Sequence, residues 1–389
     1  MKNNVAIIGG GASGLIAAIT AARNGAYVTV FEKNQRVGKK ILSTGNGRCN
    51  FTNINANIEN YNSEFAAFAL KRFSPNDTIS FFEEIGLLSK TEDEGRVYPL
   101  SGQAAAVLDV LRLEAERLQI AVRTEFDVSQ IVKKNDGFFV VSKTGERYFA
   151  DKIIVATGGM AAPKSGSDGA GYGLLKKLGH SVTGLVPSLV QIKTSKSIQG
   201  VRAYGRVTMQ NGKTSKGEIQ FNNYGISGIP VFGLSKYAKK GENVYIDLLP
   251  DYTHSEVLEL LKKRPTQTME TYMTGILNKS LGQMLLKECG ISPLSKMSDE
   301  LTEKEIEKIA DTLKKWRFEI TGVMPWDNAQ VTSGGIRLSE INAETMESRL
   351  VKNLFVTGEL MDIDGDCGGF NLQWAWSSGF VAGSEAASV

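Results

Sequence analysis

A chain of 389 residues, 42% apolar and 22% charged, has room for two or three domains, each with its own core, and is too apolar to stay disordered. Lys plus Arg number 45 against 42 Asp plus Glu, so the formal charge of +3 argues against nucleic acid or an anionic membrane as a partner of the chain as a whole. Cys49, Cys289 and Cys367 are far apart and form no Cys-x-x-Cys, which argues against a zinc ribbon or a thioredoxin-like pair, gives no metal site, and suits a reducing compartment, the cytoplasm.

After Lys2 the apolar run enters glycines within about five residues, too short for an export signal, and reads as a first strand. No later stretch approaches the roughly 18 uncharged apolar residues of a membrane span. The GGGASG turn, a helix ended by Gly25 and a second strand, YVTVFE, complete a βαβ unit. Gly9 permits a tight turn, Gly11 lets the backbone approach a pyrophosphate, and Gly14 lets helix and strand pack closely. Ala12 and Ser13 open the helix, where unpaired N–H groups face phosphate charge. Glu32, about eighteen residues beyond Gly14, is placed to accept hydrogen bonds from an adenosine ribose, with Lys33 beside it.

A second glycine-rich stretch follows at once: VGKKILSTGNGRCNFTN, with Gly38, Gly45 and Gly47 interleaved with Lys39, Lys40 and Arg48. Two phosphate-friendly loops suggest one long cofactor. FAD is extended and is held from segments distant in sequence, whereas a nicotinamide would not need them. Val128 is carried as a further contact. Two more segments are apolar strands running into Thr-Gly: DKIIVATGG, with Thr157, Gly158 and Gly159, and NLFVTGELMD, with Gly358 followed by Glu359, a carboxylate suited to ribitol hydroxyls. Beyond these, Gly368 and Gly369 open a helix at Phe370, Asn371 and Leu372, whose partial positive charge would face the flavin N1 and C2 carbonyl.

Between these segments the pattern changes. Residues 187–250 and 317–331 alternate apolar and polar, with an Asn211-Gly212 hairpin signal, and read as a small antiparallel β domain. Residues 251–316 read as a helical subdomain, its last helix starting with Thr302 and Glu305 at capping-box spacing. The fold class is α/β: a Rossmann-like FAD-binding domain, residues 1–186 and 332–389, interrupted by this insert.

The segments GKKILSTGNGRCNFTN, ATGGMAAPKSGSDGAGYGLLKKLGHSV, AQVTSGGI, TMESRLVKNLFVTGELMD and GGFNLQWAWSSG together resemble the bacterial flavoproteins described as NAD(P)/FAD-dependent oxidoreductases or aminoacetone-oxidase-like enzymes. More distantly, the arrangement is similar to the flavoprotein subunits of fumarate reductases. The resemblance implies that the second loop wraps the flavin through Gly38, Lys40, Ser43, Thr44, Gly45, Asn46, Gly47, Arg48, Cys49 and Asn50. There is one departure: where relatives read Thr-His before the tyrosine, this chain has Asn222 and Asn223 in FNNYGISGIP, so a substrate contact made by that histidine is missing.

Flavin itself exchanges hydride, so the protein needs to position substrate and stabilise charge, and no catalytic acid or base stands out. His180 and His254 read as structural. Cys49 and Cys367 are weighed as a redox pair against packing thiols, the commoner role. No second dinucleotide fingerprint occurs, so NAD(P)H would dock transiently. The reading is an FAD oxidoreductase that uses NAD(P)H to reduce a conjugated C=C or carbonyl compound, with a small-molecule substrate. The alternatives are an amine-type oxidase and, from another class, a flavin-bearing tRNA-modification or redox-sensing binding protein.

Overall fold

The computed structural model describes residues 3–388; Met1, Lys2 and Val389, which fall in the first and last predicted segments, lie outside the described residues. The chain divides into two compact units, one running up to Val186 and resuming at Gln330, the other Pro187–Ala329.

In the first unit, β1 (Asn4–Ile8) leads through Gly9, at φ 105°, into helix α1 (Ala12–Arg23) and on to β2 (Tyr27–Phe31), which pairs with β1 in parallel, Ile8 opposite Phe31. Helix α1, ASGLIAAITAAR, is made of small and apolar residues up to Arg23, so it can be buried on most sides. Asn24 and Gly25, the latter at φ 91°, stop it. Among the described residues the parallel sheet has five strands in the order Leu354–Val356, Lys152–Val155, β1, β2, Ala121–Arg123. Its central strands are mostly apolar because both faces are covered: α1 and the C-terminal helix pack on the sheet, and Tyr148 of the strand Arg147–Ala150 meets Thr29 and Phe31. An antiparallel meander, Val128–Lys133, Phe138–Ser142 and Arg147–Ala150, and a small sheet of Thr52–Asn53, Arg96–Pro99 and Ser89–Thr91 flank it.

The C-terminal helix, Phe370–Ala387, packs along α1. Gly379 and Gly383 make this approach as close as backbone on backbone: a Cβ on Gly383 would stand 2.5 Å from the Ala17 carbonyl oxygen. Apolar residues on most of its sides are thus explained by burial, and among the described residues no helix is long and apolar enough to cross a membrane.

The second unit is a closed antiparallel barrel with helices. In barrel order its strands are Ile192–Thr194, Gly225–Ser227, Thr214–Asn222, Val201–Met209, Asn243–Asp247 and Trp316–Val323. The Asn211-Gly212 hairpin joins the two long strands, with Thr208 opposite Thr214 and Gly212 at φ 85°. Helices His254–Lys262, Met269–Thr274, Lys279–Glu288 and Glu303–Lys315 follow. Thr302 caps the last of them through the reciprocal pair expected: its Oγ1 accepts from Glu305 N at 3.3 Å and Glu305 Oε2 accepts from Thr302 N at 2.8 Å. The helices are not a separate body, because one apolar core runs from Val207, Ile219 and Phe318 in the barrel to Leu285, Ile309 and Leu313 in the helices.

Candidate cofactor site

The first glycine loop is built from close approaches. A Cβ on Gly14 would collide with the Gly9 carbonyl, and one on Gly9 would meet Ala156 O at 2.5 Å. Gly11 is different: it has ordinary extended backbone, and among the described residues beyond its two chain neighbours no atom lies within 4 Å of where its Cβ would be. The first helical bond runs from Leu15 N to Gly11 O, leaving the N–H groups of Ala12, Ser13 and Gly14 without helical partners above this open cradle. Glu32, 8% exposed at the end of β2, closes the loop from the side. Its Oε2 accepts from Gly10 N at 3.0 Å, and its Oε1 accepts from Asn34 N at 2.9 Å and Asn34 Nδ2 at 2.7 Å. Lys33 is paired with Asp168 at 2.6 Å. Val128 lies buried two residues after Phe126, whose N–H donates to the Glu32 carbonyl at 3.0 Å.

The second loop is tied to the first, since Gly38 N donates to Gly10 O at 2.7 Å. Beyond it Gly45, Asn46, Gly47 and Cys49 all take left-handed backbone, with φ of 54°, 54°, 83° and 56°. The Ser43 hydroxyl donates to Lys40 O and the Thr44 hydroxyl to Ile41 O, so both are spent within their own turn. Lys40 reaches across the fold to Glu359 Oε2 at 2.6 Å, while Glu359 Oε1 accepts from Thr332 N at 2.7 Å. Arg48 lies over the Tyr98 ring and bonds Glu92 at 2.6 Å, a bond that, with a second from Lys90, holds the Glu92 carboxyl down at about 2. Cys49 is fully buried, and burial pushes its thiol up to about 12; burial raises Cys367 as well. Both are free thiols, and Cys49 packs in the apolar core.

The two Thr-Gly segments meet at the carboxyl ends of adjacent parallel strands, where Thr357 N donates to Val155 O at 3.1 Å. That edge is where open α/β sheets bind ligands. Gly159 is pressed against the Thr332 hydroxyl, which accepts from Met160 N and Ala161 N at 2.7 and 3.0 Å. Gly358 is held by its N–H to Ser378 Oγ and its carbonyl to Trp374 Nε1, each at 3.0 Å. The Thr157 and Thr357 hydroxyls, the Ser167 hydroxyl and Asn50 Oδ1 are buried with no hydrogen-bond partner.

At the head of the C-terminal helix, Gly368 and Gly369 sit at φ 134° and 100°. The Gly369 requirement is internal: a Cβ there would meet the Thr52 carbonyl oxygen at 2.5 Å, so the chain's own backbone excludes a side chain. The Phe370 side chain is buried in the core, and its carbonyl accepts from Tyr61 OH at 2.9 Å. The Asn371 side chain closes its own loop, accepting from Gly365 N at 2.8 Å and donating to Gly365 O at 2.9 Å. Leu372 is half-buried. The N–H groups of these three residues have no helical partner and remain to face a ligand.

Thr332 and Asn53 lie inside two of the segments that carry the resemblance, AQVTSGGI and GKKILSTGNGRCNFTN, but neither was singled out as a site residue: Asn53 Nδ2 donates to Gly368 O at 2.9 Å. His180 has a structural role. Its Nε2 lies 2.9 Å from Ser348 Oγ and its Nδ1 3.2 Å from Glu340, but Ser348 Oγ also accepts from Leu350 N and Val351 N, so the trio clamps a turn. His254 stands at a helix start beside Asp311, 2.8 Å away. Among the described residues no group of three or more His, Cys, Asp or Glu could hold a metal.

The open cradle at Gly11, the buried acid at the end of β2, the unpartnered Thr157 and Thr357 hydroxyls beyond adjacent strand ends and the unpartnered Asn50 amide oxygen fit an extended dinucleotide such as FAD. The model of the HI0933-like protein Rossmann domain matches residues 3–385. The chain is 40% identical, over 99% of both sequences, to the 3-dehydro-bile acid delta(4,6)-reductase of Clostridium scindens. It is 32% identical to the ribosomal RNA dihydrouridine synthase of Haemophilus influenzae, over 96% of both chains, and 31% identical to that of Escherichia coli, over 97% of this chain and 96% of the other. Its fold is similar to the 3-ketosteroid-delta4-(5alpha)-dehydrogenase of Rhodococcus jostii, with a TM-score of 0.51 and 15% identity over 100% of this chain and 97% of the other. A flavocytochrome c3 fumarate reductase gives a TM-score of 0.50 and 17% identity over 99% of this chain and 78% of the other.

Proposed function

The chain is an FAD-dependent oxidoreductase that belongs to the HI0933-like Rossmann-domain family, and from this we propose that it uses NAD(P)H to reduce a carbon–carbon double bond conjugated to a carbonyl group in a small molecule. The observation that carries the proposal is 40% identity along the whole length to a reductase of a delta(4,6)-unsaturated compound. Forming dihydrouridine, the activity named for the two other relatives, is chemically akin, because the uracil C5–C6 double bond is conjugated to the C4 carbonyl.

Each part of the site has a task in this reading. The N–H groups at the head of α1 would hold the pyrophosphate, with the dipole of a twelve-residue helix behind them. Glu32 would accept ribose hydroxyls with the lone pairs that Gly10 and Asn34 leave free. The Lys40–Glu359 pair joins the second loop to the strand ends, and its carboxylate would accept from ribitol hydroxyls. The N–H groups at Phe370, Asn371 and Leu372 would stabilise negative charge at the ring. Bound flavin supplies hydride transfer from the nicotinamide to the substrate. The cytoplasm is the proposed compartment, in keeping with three free thiols.

A second reading, reduction of an RNA base, is favoured by the two dihydrouridine synthases, and the near-neutral charge of the chain weighs against it. The test is anaerobic stopped-flow. NADH or NADPH should bleach the flavin band without displacing FAD, and a steroid dienone should then restore it. Recovery with uridine-containing ribosomal RNA but not with the dienone would move the assignment to RNA. No bleaching by either nucleotide, but bleaching by a small amine, would make the protein an oxidase.

A further inference from the structure

Two features meet at the head of the C-terminal helix that the contacts above leave unused. The helix is eighteen residues long, carries no acid in its first turn and is capped by Gly369, so its leading N–H groups have no helical partner. Asn50 is 9% exposed, its Oδ1 has no hydrogen-bond partner, and that atom lies 3.0 Å from where a Cβ on Gly369 would stand. A buried acceptor left without a donor costs about 1–3 kcal/mol, so the geometry calls for a donor from outside the chain.

The second feature is Arg96. Its side chain is 19% exposed, and its Nε lies 3.6 Å from where a Cβ on Gly368 would be. Two other cations nearby, Arg48 of the second loop and Lys90 of the same small sheet, are used up elsewhere, since they share Glu92 at 2.6 and 2.9 Å. Arg96 is paired with Glu94, a residue 72% exposed in its side chain and held at φ 58°, two positions back on the same turn. An ion pair so open to water is weak and readily exchanged.

A row of N–H donors beside a single buried acceptor matches a ligand edge that presents a carbonyl next to an N–H, the pattern of a cyclic imide. We propose that Asn50, the head of the C-terminal helix and Arg96 together receive the imide edge of the flavin, with Asn50 accepting the ring N–H and Arg96 acting as the tuning residue that favours the reduced cofactor. This rests on the FAD reading. It adds two roles to it: Asn50 reads the ring by hydrogen bonding, and Arg96 acts through charge.

The test uses holoprotein, with sulfite as probe, because sulfite adds reversibly to the flavin ring, bleaches its band and leaves negative charge on it. Arg96→Gln should keep a full complement of FAD while sulfite binds on the order of tenfold more weakly, the size expected for losing one cation a few ångströms from a new charge in a partly screened site. Its reduction potential, set against a reference dye, should move to more negative values. Arg96→Lys should restore both properties, and Asn50→Ala should raise the FAD dissociation constant about fivefold, as for one neutral hydrogen bond. An FAD-replete Arg96→Gln with wild-type sulfite affinity would overturn the proposal. So would an Arg96→Lys variant as impaired as Arg96→Gln, since the side chain would then act by packing. Wild-type protein purified without FAD would overturn the flavin reading itself, and this proposal with it.

Discussion

Replacing Glu32 with alanine tests both the fold and the cofactor assignment. The carboxylate holds three donors, one of them the buried Gly10 N–H at 3.0 Å and two from half-buried Asn34. Hydrogen bonds to a charged group are worth about 1.5–3 kcal/mol each, but Asn34 can turn to water and recover most of its share, so the net loss of stability should be roughly 2–4 kcal/mol. FAD would lose its ribose partner and also meet a loosened first loop, and its dissociation constant should rise about a hundredfold, or roughly 3 kcal/mol. Urea unfolding of the FAD-free protein measures the first quantity, and quenching of FAD fluorescence on titration measures the second. Glu32→Gln separates them, because it keeps an acceptor for Asn34 but turns an amide toward either Gly10 or the ribose. If the alanine variant unfolds at the wild-type urea midpoint, Glu32 does not hold Gly10. If it binds FAD with unchanged affinity, the acid is not at the ribose.

Gly369→Ala should cost about 2–4 kcal/mol in urea unfolding, because left-handed backbone and the Thr52 carbonyl both oppose a Cβ; a wild-type midpoint would show that the turn is loosely held. Thr332→Val keeps shape but removes the acceptor for Met160 N and Ala161 N, so about 1–3 kcal/mol should be lost, and a change below a few tenths would mean that water replaces the hydroxyl. His180 gives a pH dependence. Burial holds its imidazole below the ordinary value despite Glu340, so the folded state prefers the neutral form: its contribution to stability should be full above about pH 6.5 and be lost as pH falls from there through the lower folded-state value. Urea midpoints at pH 7.5 and 5.5 should therefore differ in the wild type and differ less in His180→Gln; equal differences in the two proteins would show that another group titrates.

Much of the first unit was legible because its signals are local. The spacing of Gly9, Gly11 and Gly14, the apolar run of Asn4–Ile8 and the acid at the end of β2 specify strand, turn and helix within thirty-odd residues, the span of a βαβ unit. The Asn211-Gly212 hairpin and the Thr302–Glu305 cap were legible for the same reason: each depends on backbone groups no more than a few positions away. The reason for Gly369 was only half visible. Its left-handed backbone suits a glycine, but the Thr52 carbonyl that presses on it comes from a strand more than 300 positions earlier in the chain.

By itself, then, the sequence determined the βαβ unit with its glycine turn and the change to β-rich and then helical patterning in the insert. Tertiary structure alone decided how those segments are held. Lys40 and Glu359 are 319 positions apart, and each is an ordinary surface-type residue in its own neighbourhood. His180 and Ser348, 168 apart, meet only because two turns pack together. The closure of six strands into a barrel, and the sharing of its core with helices that read as a separate subdomain, likewise leave no local trace. Alternation records which face of a strand is buried, and helical periodicity which side of a helix. Neither records the partner, because a buried apolar face is satisfied by any surface of matching shape, and that choice is made only when distant parts of the chain compete for contact.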